Sequence, residues 1–171
     1  MNNKITIRVL KSADFTILNK LFGLGTIYNK PPERWATYLA ETNAKKRLAV
    51  VAEVSGEVVG YCTLKFYSQY SPFRESDTPE VSDLGVAEAF RKRGVGRELV
   101  VYLEKIAQQK GSRQIGIGFG LYGDYGPAQR LYVKMGYIPD GHGVTYNYEK
   151  ITPGKEYKVD DDLILWFTKE L

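Results

Sequence analysis

The order of two hydrophobic periodicities along the chain constrains its fold more than any other sequence feature. Short stretches rich in β-branched and aromatic residues, typical of strands, are interleaved with stretches whose apolar residues recur at helical spacing. The strand-like stretches are residues 5–10, 48–54, 57–66, 80–86, 114–119 and 163–168, and the helical ones begin near Ser12, Pro31, Val95 and Pro127. This order predicts a mixed α/β sheet with helices packed on it. Because there is no repeat and no linker-like segment, we expect one domain over residues 1–171.

Composition excludes several classes of protein and of site. Hydrophobic residues make up 43% and charged residues 26% of the chain, as in ordinary globular proteins. Cys62 and His142 are single residues of their types, which excludes an intrachain disulfide and argues against a zinc site or a Ser-His-Asp triad. No apolar run approaches the ~20 residues that cross a bilayer, and no secretory signal opens the sequence. We therefore expect a cytoplasmic protein without a metal or a membrane partner.

A basic, glycine-containing segment lies between the strand predicted at residues 80–86 and the helix predicted from Val95. It reads Arg91-Lys-Arg-Gly94-Val-Gly96-Arg97. The first N–H groups of a helix have no partner inside the helix and carry partial positive charge, so they attract phosphate. Glycine lets the main chain approach such a ligand closely. The segment therefore favours a phosphate-binding site over a solvated basic turn, although the Lys-Ser/Thr pair of a P-loop is missing.

Two motifs resemble those of the GNAT superfamily of N-acetyltransferases. Leu84-Gly-Val86, followed after four residues by Arg91-x-x-Gly94-x-Gly96, is similar to motif A, and residues 128–137 (Ala-Gln-Arg-Leu-Tyr-Val-Lys-Met-Gly-Tyr) are similar to motif B. The resemblance covers about residues 48–137. It implies an α/β (α+β) fold with a mixed, mostly antiparallel sheet of six to seven strands, splayed central strands and about four flanking helices. It also implies acetyl transfer from acetyl-coenzyme A, the co-substrate, to a primary amine by direct attack in a ternary complex.

The same resemblance assigns coenzyme contacts. The main-chain N–H groups from about residue 93 to residue 97 would hold the pyrophosphate, and the main chain of Leu84 and Val86 would pair with the pantetheine amides like an added strand. The implied coenzyme-binding residues are Leu84, Val86, Arg91, Lys92, Arg93, Gly94, Val95, Gly96, Arg97 and Tyr125. Tyr125 stands where motif B often has an asparagine that binds pantetheine, so Asp124 or the Tyr125 main chain is the expected substitute.

Three alternating glycines mark the second of the two strands that the family parts to admit the thioester. Gly116, Gly118 and Gly120 would leave room at that opening. Glycine inside a strand is equally typical of a bulge or an irregular strand, so both interpretations stay open at this point.

Acetyl transfer to an amine requires a base for the amine and an acid for the leaving thiolate. Tyr132 corresponds to the family's general acid, and phenols and thiols have similar enough pKa values, about 10 and 8.5, for that transfer. A tyrosine packed only for its ring is the alternative. Glu80 is the candidate base, acting through water, because alternation places it on one strand face with Leu84 and Val86, whereas Asp83 points to the other. An exposed glutamate, with bulk water as the base, is the alternative.

Other features support weaker interpretations. Residues 118–123 spell the Gly-x-Gly-x-x-Gly of dinucleotide-binding folds, but the helix predicted from Pro127 begins too late for that fold. His142 is expected to lie exposed in a loop. Tyrosines and aspartates between residues 146 and 162 are expected in a long loop before the last strand, where they would either receive a cationic amine or be solvated.

Two rival functions use the same basic segment. A coenzyme A binding or regulatory module would need the phosphate site but not Tyr132. A nucleic-acid binder would suit the net charge of +4, yet the chain has no recognised nucleic-acid motif, so we expect no nucleic-acid partner. The acceptor stays open among small amines, antibiotics and peptide or protein amino groups, and we expect a monomer or a homodimer.

Overall fold

The computed structural model describes residues 4–171, which form eight strands and five α-helices. The strands are β1 (Ile5–Val9), β2 (Arg47–Val54), β3 (Glu57–Lys65), β4 (Glu80–Val86), β5 (Gln114–Gly120), β6 (Ile138–Tyr146), β7 (Glu149–Lys150) and β8 (Leu163–Glu170). The helices are α1 (Phe15–Phe22), α2 (Glu33–Asn43), α3 (Ser71–Glu75), α4 (Val95–Gln109) and α5 (Gly126–Lys134). This set of strands and helices confirms the predicted mixed α/β fold. Each strand pair with a described register is antiparallel, in agreement with the mostly antiparallel sheet that the family resemblance implies.

The strand and helix counts exceed the prediction by small margins. α3 was not predicted, because five residues are too few to establish a helical period. β6 and β7 were not predicted either; β6 ends at Tyr146, where the expected loop of residues 146–162 begins, and β7 lies within that loop. β6 has no clear alternation of apolar and polar residues, because its register against β8 shifts between Pro139 and Val144 and most of its residues are exposed.

The chain divides into two compact units. The first contains Met1–Phe66 and Val81–Ile106, and the second contains Tyr67–Glu80 and Ala107–Leu171. Strand order is β1-β2-β3-β4 in the first unit and β5-β8-β6-β7 in the second. A single domain and the parting of the two central strands stay predictions.

The core of the first unit is aromatic and lies between α1, α2 and the sheet. Phe22, Trp35 and Tyr61 pack edge to face, with ring centroids 4.8 to 6.5 Å apart, and all three are buried. The hairpin of β2 and β3 turns at Ser55 and Gly56, whose φ angles of 53° and 83° are those of a two-residue hairpin turn. Ser-Gly between the strands predicted at residues 48–54 and 57–66 predicts an antiparallel hairpin, and the observed turn and pairing confirm it.

A second aromatic cluster holds the second unit together. The rings of Tyr70 and Trp166 stack at 4.2 Å with an interplanar angle of 3°, and Phe73 meets Trp166 edge to face at 5.4 Å. β5 pairs with β8 over its whole length without a register shift. β5 is therefore held along one edge by β8, the strand that contains Trp166.

Candidate functional site

The link between β4 and α4 has the predicted order of strand, loop and helix. β4 ends at Val86, a 3-10 turn covers Glu88–Phe90, and α4 begins at Val95. The N–H of Glu98 donates to the carbonyl oxygen of Gly94 at 3.0 Å, which makes Gly94 the residue before the first helical turn. The N–H groups of residues 95–97 therefore precede the i−4 ladder and form the helix end at which an anion is best received.

The loop before α4 presents its charge to solvent. Lys92 and Gly94 have left-handed backbones, with φ of 59° and 88°, and a Cβ at Gly94 would meet nothing within 4 Å. Val95 is buried and anchors the start of the helix. The exposed cations of the loop are Arg91, Lys92, Arg93 and Arg97. Open space, main-chain donors and cations together fit a phosphate-bearing ligand.

Val86 is engaged by a residue that sequence reasoning missed. The Tyr28 hydroxyl donates to the Val86 carbonyl oxygen at 2.8 Å and accepts from the Val86 N–H at 3.0 Å. Arg91 turns toward the same place, because its Nη2 donates to the Tyr28 hydroxyl at 3.2 Å and its Nε to the Val86 carbonyl at 3.3 Å. A lone tyrosine between two helices carries no sequence signal for this role.

Asp83 is a second residue of β4 whose position sequence reasoning did not foresee. Its φ is 56°, so the regular alternation that places Glu80 on one face with Leu84 is interrupted between them. The Lys30 ammonium lies 2.6 Å from Asp83 Oδ1, and the hydroxyls of Tyr38 and Tyr61 donate to the same carboxylate. Burial favours a higher pKa for Asp83, but Lys30 and these donors lower its pKa below the ordinary value.

Glu80, the candidate base, is buried rather than exposed at the start of β4. Glu80 is only 4% exposed, and the Ser68 hydroxyl donates to its Oε2 at 2.5 Å. Ser68 is itself oriented, because its Oγ accepts the N–H of Tyr70 at 3.0 Å. The alternative of an exposed, purely solvated glutamate is therefore wrong.

Tyr132, the candidate acid, is buried on α5. Its ring lies 5.8 Å from the ring of Phe119 at an interplanar angle of 28° and 5.9 Å from that of Tyr137. These contacts confirm the ring packing that the sequence offered as one interpretation. They also fix the ring, so that a Tyr to Phe change at this position leaves the packing in place.

Tyr125 uses its side chain within the second unit. Its hydroxyl donates to Asp161 Oδ1 at 2.9 Å, and the hydroxyl of Tyr122 donates to the same oxygen. Burial, followed by Asp161, raises the pKa of Tyr125, and the hydrogen bond to Asp161 raises the pKa of Tyr122 to about 12. Both phenols are therefore neutral at physiological pH. A Tyr125 contact to pantetheine stays a prediction.

The three glycines of β5 make room for aromatic rings of their own unit. A Cβ at Gly118 would lie 2.5 Å from Trp166 Cζ3, and one at Gly120 would lie 2.5 Å from Tyr125 Cε2. A Cβ at Gly116 would run into the ring of Phe73. Aromatic side chains therefore fill the space at these three Cβ positions, and room for the thioester between the two central strands stays a prediction. β5 pairs with β8 without a register shift, so the strand is regular along that edge.

Two further sequence expectations concern residues outside these groups. His142 is exposed as expected, but it lies within β6, where its N–H donates to Asp140 Oδ1 at 2.9 Å. The glycine run 118–123 precedes α5, which begins at Gly126, so the helix does not start within the glycines as a dinucleotide fold needs.

The predicted residues therefore fall into two groups. Leu84, Val86 and residues 91–97 lie on the β4–α4 segment of the first unit, whereas Glu80, Tyr125 and Tyr132 belong to the second unit. A model of the acetyltransferase (GNAT) family matches residues 15–137, which span both groups. The chain belongs to the GNAT acetyltransferase family.

Similar proteins agree with membership of the GNAT family. An uncharacterized N-acetyltransferase of Chlorobaculum tepidum is 32% identical over 65 residues, which span 38% of this chain and 37% of that relative. An N-acetyltransferase from Staphylococcus aureus Mu50 has the same fold with a TM-score of 0.72, at 20% identity over 98% of both chains. A GNAT family acetyltransferase from Elizabethkingia anophelis, solved with acetyl-coenzyme A bound, matches over 100% of both chains at 22% identity, with a TM-score of 0.66.

Acetyl-coenzyme A is the co-substrate of GNAT proteins. The exposed cations and helix-start donors of residues 91–97 fit its phosphates. Within residues 4–171, no group of three or more His, Cys, Asp or Glu side chains could hold a metal ion. No helix in this same range is long and apolar enough to cross a membrane.

Proposed function

We propose that this GNAT protein moves the acetyl group of acetyl-coenzyme A to a primary amine by direct attack in a ternary complex. The observation that carries the proposal is the start of α4, where main-chain donors of residues 95–97 follow a left-handed glycine, Gly94, among four exposed cations. This arrangement supplies directional donors and charge for a diphosphate. The acceptor is a small amine or an amino group of a peptide or protein.

The coenzyme contacts follow from the same segment. Main-chain N–H groups of residues 93–97 bind the pyrophosphate, and the side chains of Arg91 and Lys92 neutralise its charge. The main chain of Leu84 and Val86 pairs with the pantetheine amides, as a strand edge pairs with an extended peptide. Tyr125 contributes a further pantetheine contact through its main chain, since its phenol is committed to Asp161.

Two buried residues carry the proton transfers of the proposed reaction. Glu80 takes a proton from the amine through a water molecule, and the neutral nitrogen attacks the thioester carbonyl carbon. The carbon–sulfur bond then breaks, and Tyr132 gives its phenolic proton to the leaving thiolate. As the amide forms, the attacking nitrogen loses its second proton, which restores the Tyr132 phenol through solvent, and Glu80 releases the first proton to solvent. Ser68 orients the Glu80 carboxylate by donating to Oε2. Covalent attachment of the acetyl group to the protein is not needed.

The Tyr132→Phe variant tests the proposed chemistry. Phe retains the stacking on Phe119 but has no proton to donate, so we expect kcat to fall about 100-fold or more while the dissociation constant of acetyl-coenzyme A changes less than about threefold. Thiol release from acetyl-coenzyme A, measured over a panel of amines, gives kcat, and calorimetry gives the dissociation constant.

Tyr67→Phe is the matched control, because Tyr67 is 69% exposed and the change is chemically the same. Unchanged turnover in Tyr132→Phe would contradict the assigned acid. If the wild-type protein bound acetyl-coenzyme A but released no thiol with any amine, the results would favour a non-catalytic coenzyme A binding module over an enzyme. Absence of binding at millimolar coenzyme would overturn the proposed function as a whole.

A further inference from the structure

The segment between α1 and α2 forms a compact loop of its own, which we call the strap (residues 23–30). A parallel bridge joins Gly23 to Lys30 across its base. Inside it, Thr26 donates through both its N–H and its hydroxyl to the Gly23 carbonyl, at 3.1 and 2.7 Å, and Asn29 donates to the Thr26 carbonyl at 3.1 Å. A loop whose ends meet and whose hydrogen bonds are internal is a compact unit.

The strap is fastened to β4 at two places on either side of Leu84. The ammonium of Lys30 pairs with Asp83 at 2.6 Å. The hydroxyl of Tyr28 bonds both main-chain groups of Val86. Ile27, next to Tyr28 in the strap, is 78% exposed, so the strap is held to β4 by polar contacts rather than by burial of this side chain.

Tyr28 occupies the edge of β4 that faces away from β3. The N–H of Ala87 donates to the Val59 carbonyl of β3 at 2.8 Å. Main-chain groups of consecutive strand residues point to opposite edges, so those of Val86 point away from β3. One phenol therefore satisfies the donor and the acceptor that an added strand would use at this residue.

Arg91 is drawn into the same arrangement. Its guanidinium lies 5.7 Å from the centre of the Tyr28 ring and donates to both the Tyr28 hydroxyl and the Val86 carbonyl. A cation of the basic loop is thus turned toward the strap. Release of Tyr28 would free Arg91 for an anion.

We propose that Tyr28 competes with acetyl-coenzyme A for the main-chain groups of Val86, so that the strap must release β4 before the coenzyme binds. This inference rests on the proposed function, in which the Val86 main chain pairs with the pantetheine amide. The Tyr28 hydroxyl and a pantetheine amide cannot occupy the same position beside the Val86 N–H and carbonyl groups. Part of the coenzyme's binding free energy is therefore used to displace Tyr28.

The Tyr28→Phe variant separates the hydroxyl from the ring. The Tyr28 ring packs edge to face on Phe22 at 5.0 Å, a contact that phenylalanine retains, whereas the bonds to Val86 are lost. Because the competitor is removed, we expect the dissociation constant of acetyl-coenzyme A to fall about three- to tenfold in calorimetry. Tyr102→Phe, on α4, is the matched control and should leave the dissociation constant unchanged.

Hydrogen exchange gives a second readout at the atoms concerned. In the free wild-type protein the Val86 amide should be protected, and it should exchange faster in Tyr28→Phe. Addition of acetyl-coenzyme A should protect the Val86 amide in both proteins.

The outcomes separate this inference from the function on which it rests. If the wild-type protein does not bind acetyl-coenzyme A, the proposed function fails first. If the wild-type protein binds the coenzyme and Tyr28→Phe binds with equal or weaker affinity, only the competition is overturned, and weaker binding would make Tyr28 a coenzyme contact. Tighter binding together with faster exchange of the free Val86 amide would support it.

Discussion

Asp83 has a left-handed backbone in the middle of a strand because several groups converge on its carboxylate. A non-glycine residue with φ of 56° is held in a sparsely populated conformation, which persists only where the surroundings determine it. Here Lys30 supplies a charge at 2.6 Å and Tyr61 a hydroxyl at 3.1 Å. With its side chain 14% exposed, the carboxylate is largely removed from solvent. A single acidic residue therefore ties the strap and α2 to β4.

The Asp83→Asn variant should lower the free energy of unfolding by about 1–3 kcal/mol at pH 7, because asparagine tolerates a left-handed backbone but leaves Lys30 without its countercharge. The pKa of Asp83 is lowered in the folded state, so its stabilising effect is present above the unfolded-state pKa of about 3.9 and is lost as the pH falls through the folded-state pKa. The difference in the free energy of unfolding between the wild type and Asp83→Asn should therefore become smaller on acidification. Urea denaturation from pH 7 to pH 3 measures it.

Asp77→Asn controls for the chemical change alone. Asp77 also has a left-handed backbone, with φ of 49°, but it is exposed, so its replacement should change the free energy of unfolding by less than about 0.5 kcal/mol. A stability gap for Asp83→Asn that does not vary with pH would mean that the carboxylate acts through packing rather than charge.

At the scale of the element, β5 shows how an alternating sequence serves the side chains packed against it. Its glycines alternate with Ile115, Ile117 and Phe119, which are buried. The two faces of the strand therefore differ: one supplies apolar side chains, and the other yields its space to Phe73, Trp166 and Tyr125. A strand interior with this many glycines would be weak by propensity, and the uninterrupted pairing with β8 offsets that weakness.

The Gly118→Ala variant should destabilise the protein by about 1–3 kcal/mol, the usual cost of overpacking a filled core. The added methyl would lie 2.5 Å from Trp166 Cζ3 and 2.9 Å from Ile164 Cγ2. Trp166 has little freedom to move, because it is 1% exposed and stacked on Tyr70. Thermal and urea unfolding followed by tryptophan fluorescence report the loss.

Gly126→Ala is the paired control. A Cβ at Gly126 would meet nothing within 4 Å, and alanine favours the helix that begins there, so this variant should be as stable as the wild type or slightly more stable. Equal destabilisation of both variants would refute the argument from Trp166, and no loss in Gly118→Ala would show that the ring can yield.

At the scale of the whole molecule, the distribution of charge matters more than its sum. The chain has 24 Lys and Arg residues against 20 Asp and Glu residues, a net charge of +4. Four of the cations lie within residues 91–97, so the remainder of the sequence is formally neutral. An anion attracted to this protein should therefore be attracted to one loop.

Two double variants with the same change of net charge distinguish the loop from the total. Arg93→Gln/Arg97→Gln should raise the dissociation constant of acetyl-coenzyme A about tenfold and reduce its dependence on salt, because exposed charges are screened as the Debye length falls from about 10 Å at 0.1 M to about 3 Å at 1 M salt. Lys20→Gln/Lys105→Gln, at exposed positions of α1 and α4, should change it less than about twofold. Calorimetry at several salt concentrations measures both.

Equal weakening in the two double variants would show that net charge, rather than the loop, governs the affinity. No weakening in either would leave the main-chain donors as the source of coenzyme binding. Neither result would bear on Tyr28, because both double variants leave the strap intact.

Local patterns in the sequence were sufficient for most elements. β4 was predicted at its observed bounds, and the turn at Ser55 and Gly56 and the helix from Val95 were found by turn chemistry and by apolar spacing. The basic segment of residues 91–97 was recognised because strand, glycine and helix follow one another within a few residues. In each case the physical cause is local, so the residues that determine the structure stand next to each other in the chain.

Tertiary structure decided the features that depend on distant residues. Glu80 is hydrogen-bonded by Ser68, Asp83 is paired with Lys30, and Val86 is engaged by Tyr28, 58 positions away in sequence. The filled space beside Gly118 likewise depends on Trp166. The sequence by itself determined most of the elements and the basic loop before α4, because backbone propensity and helix ends are local properties. The side chains that contact these elements were decided by tertiary packing, because a contact between residues far apart in sequence leaves no periodic pattern or local motif in the sequence.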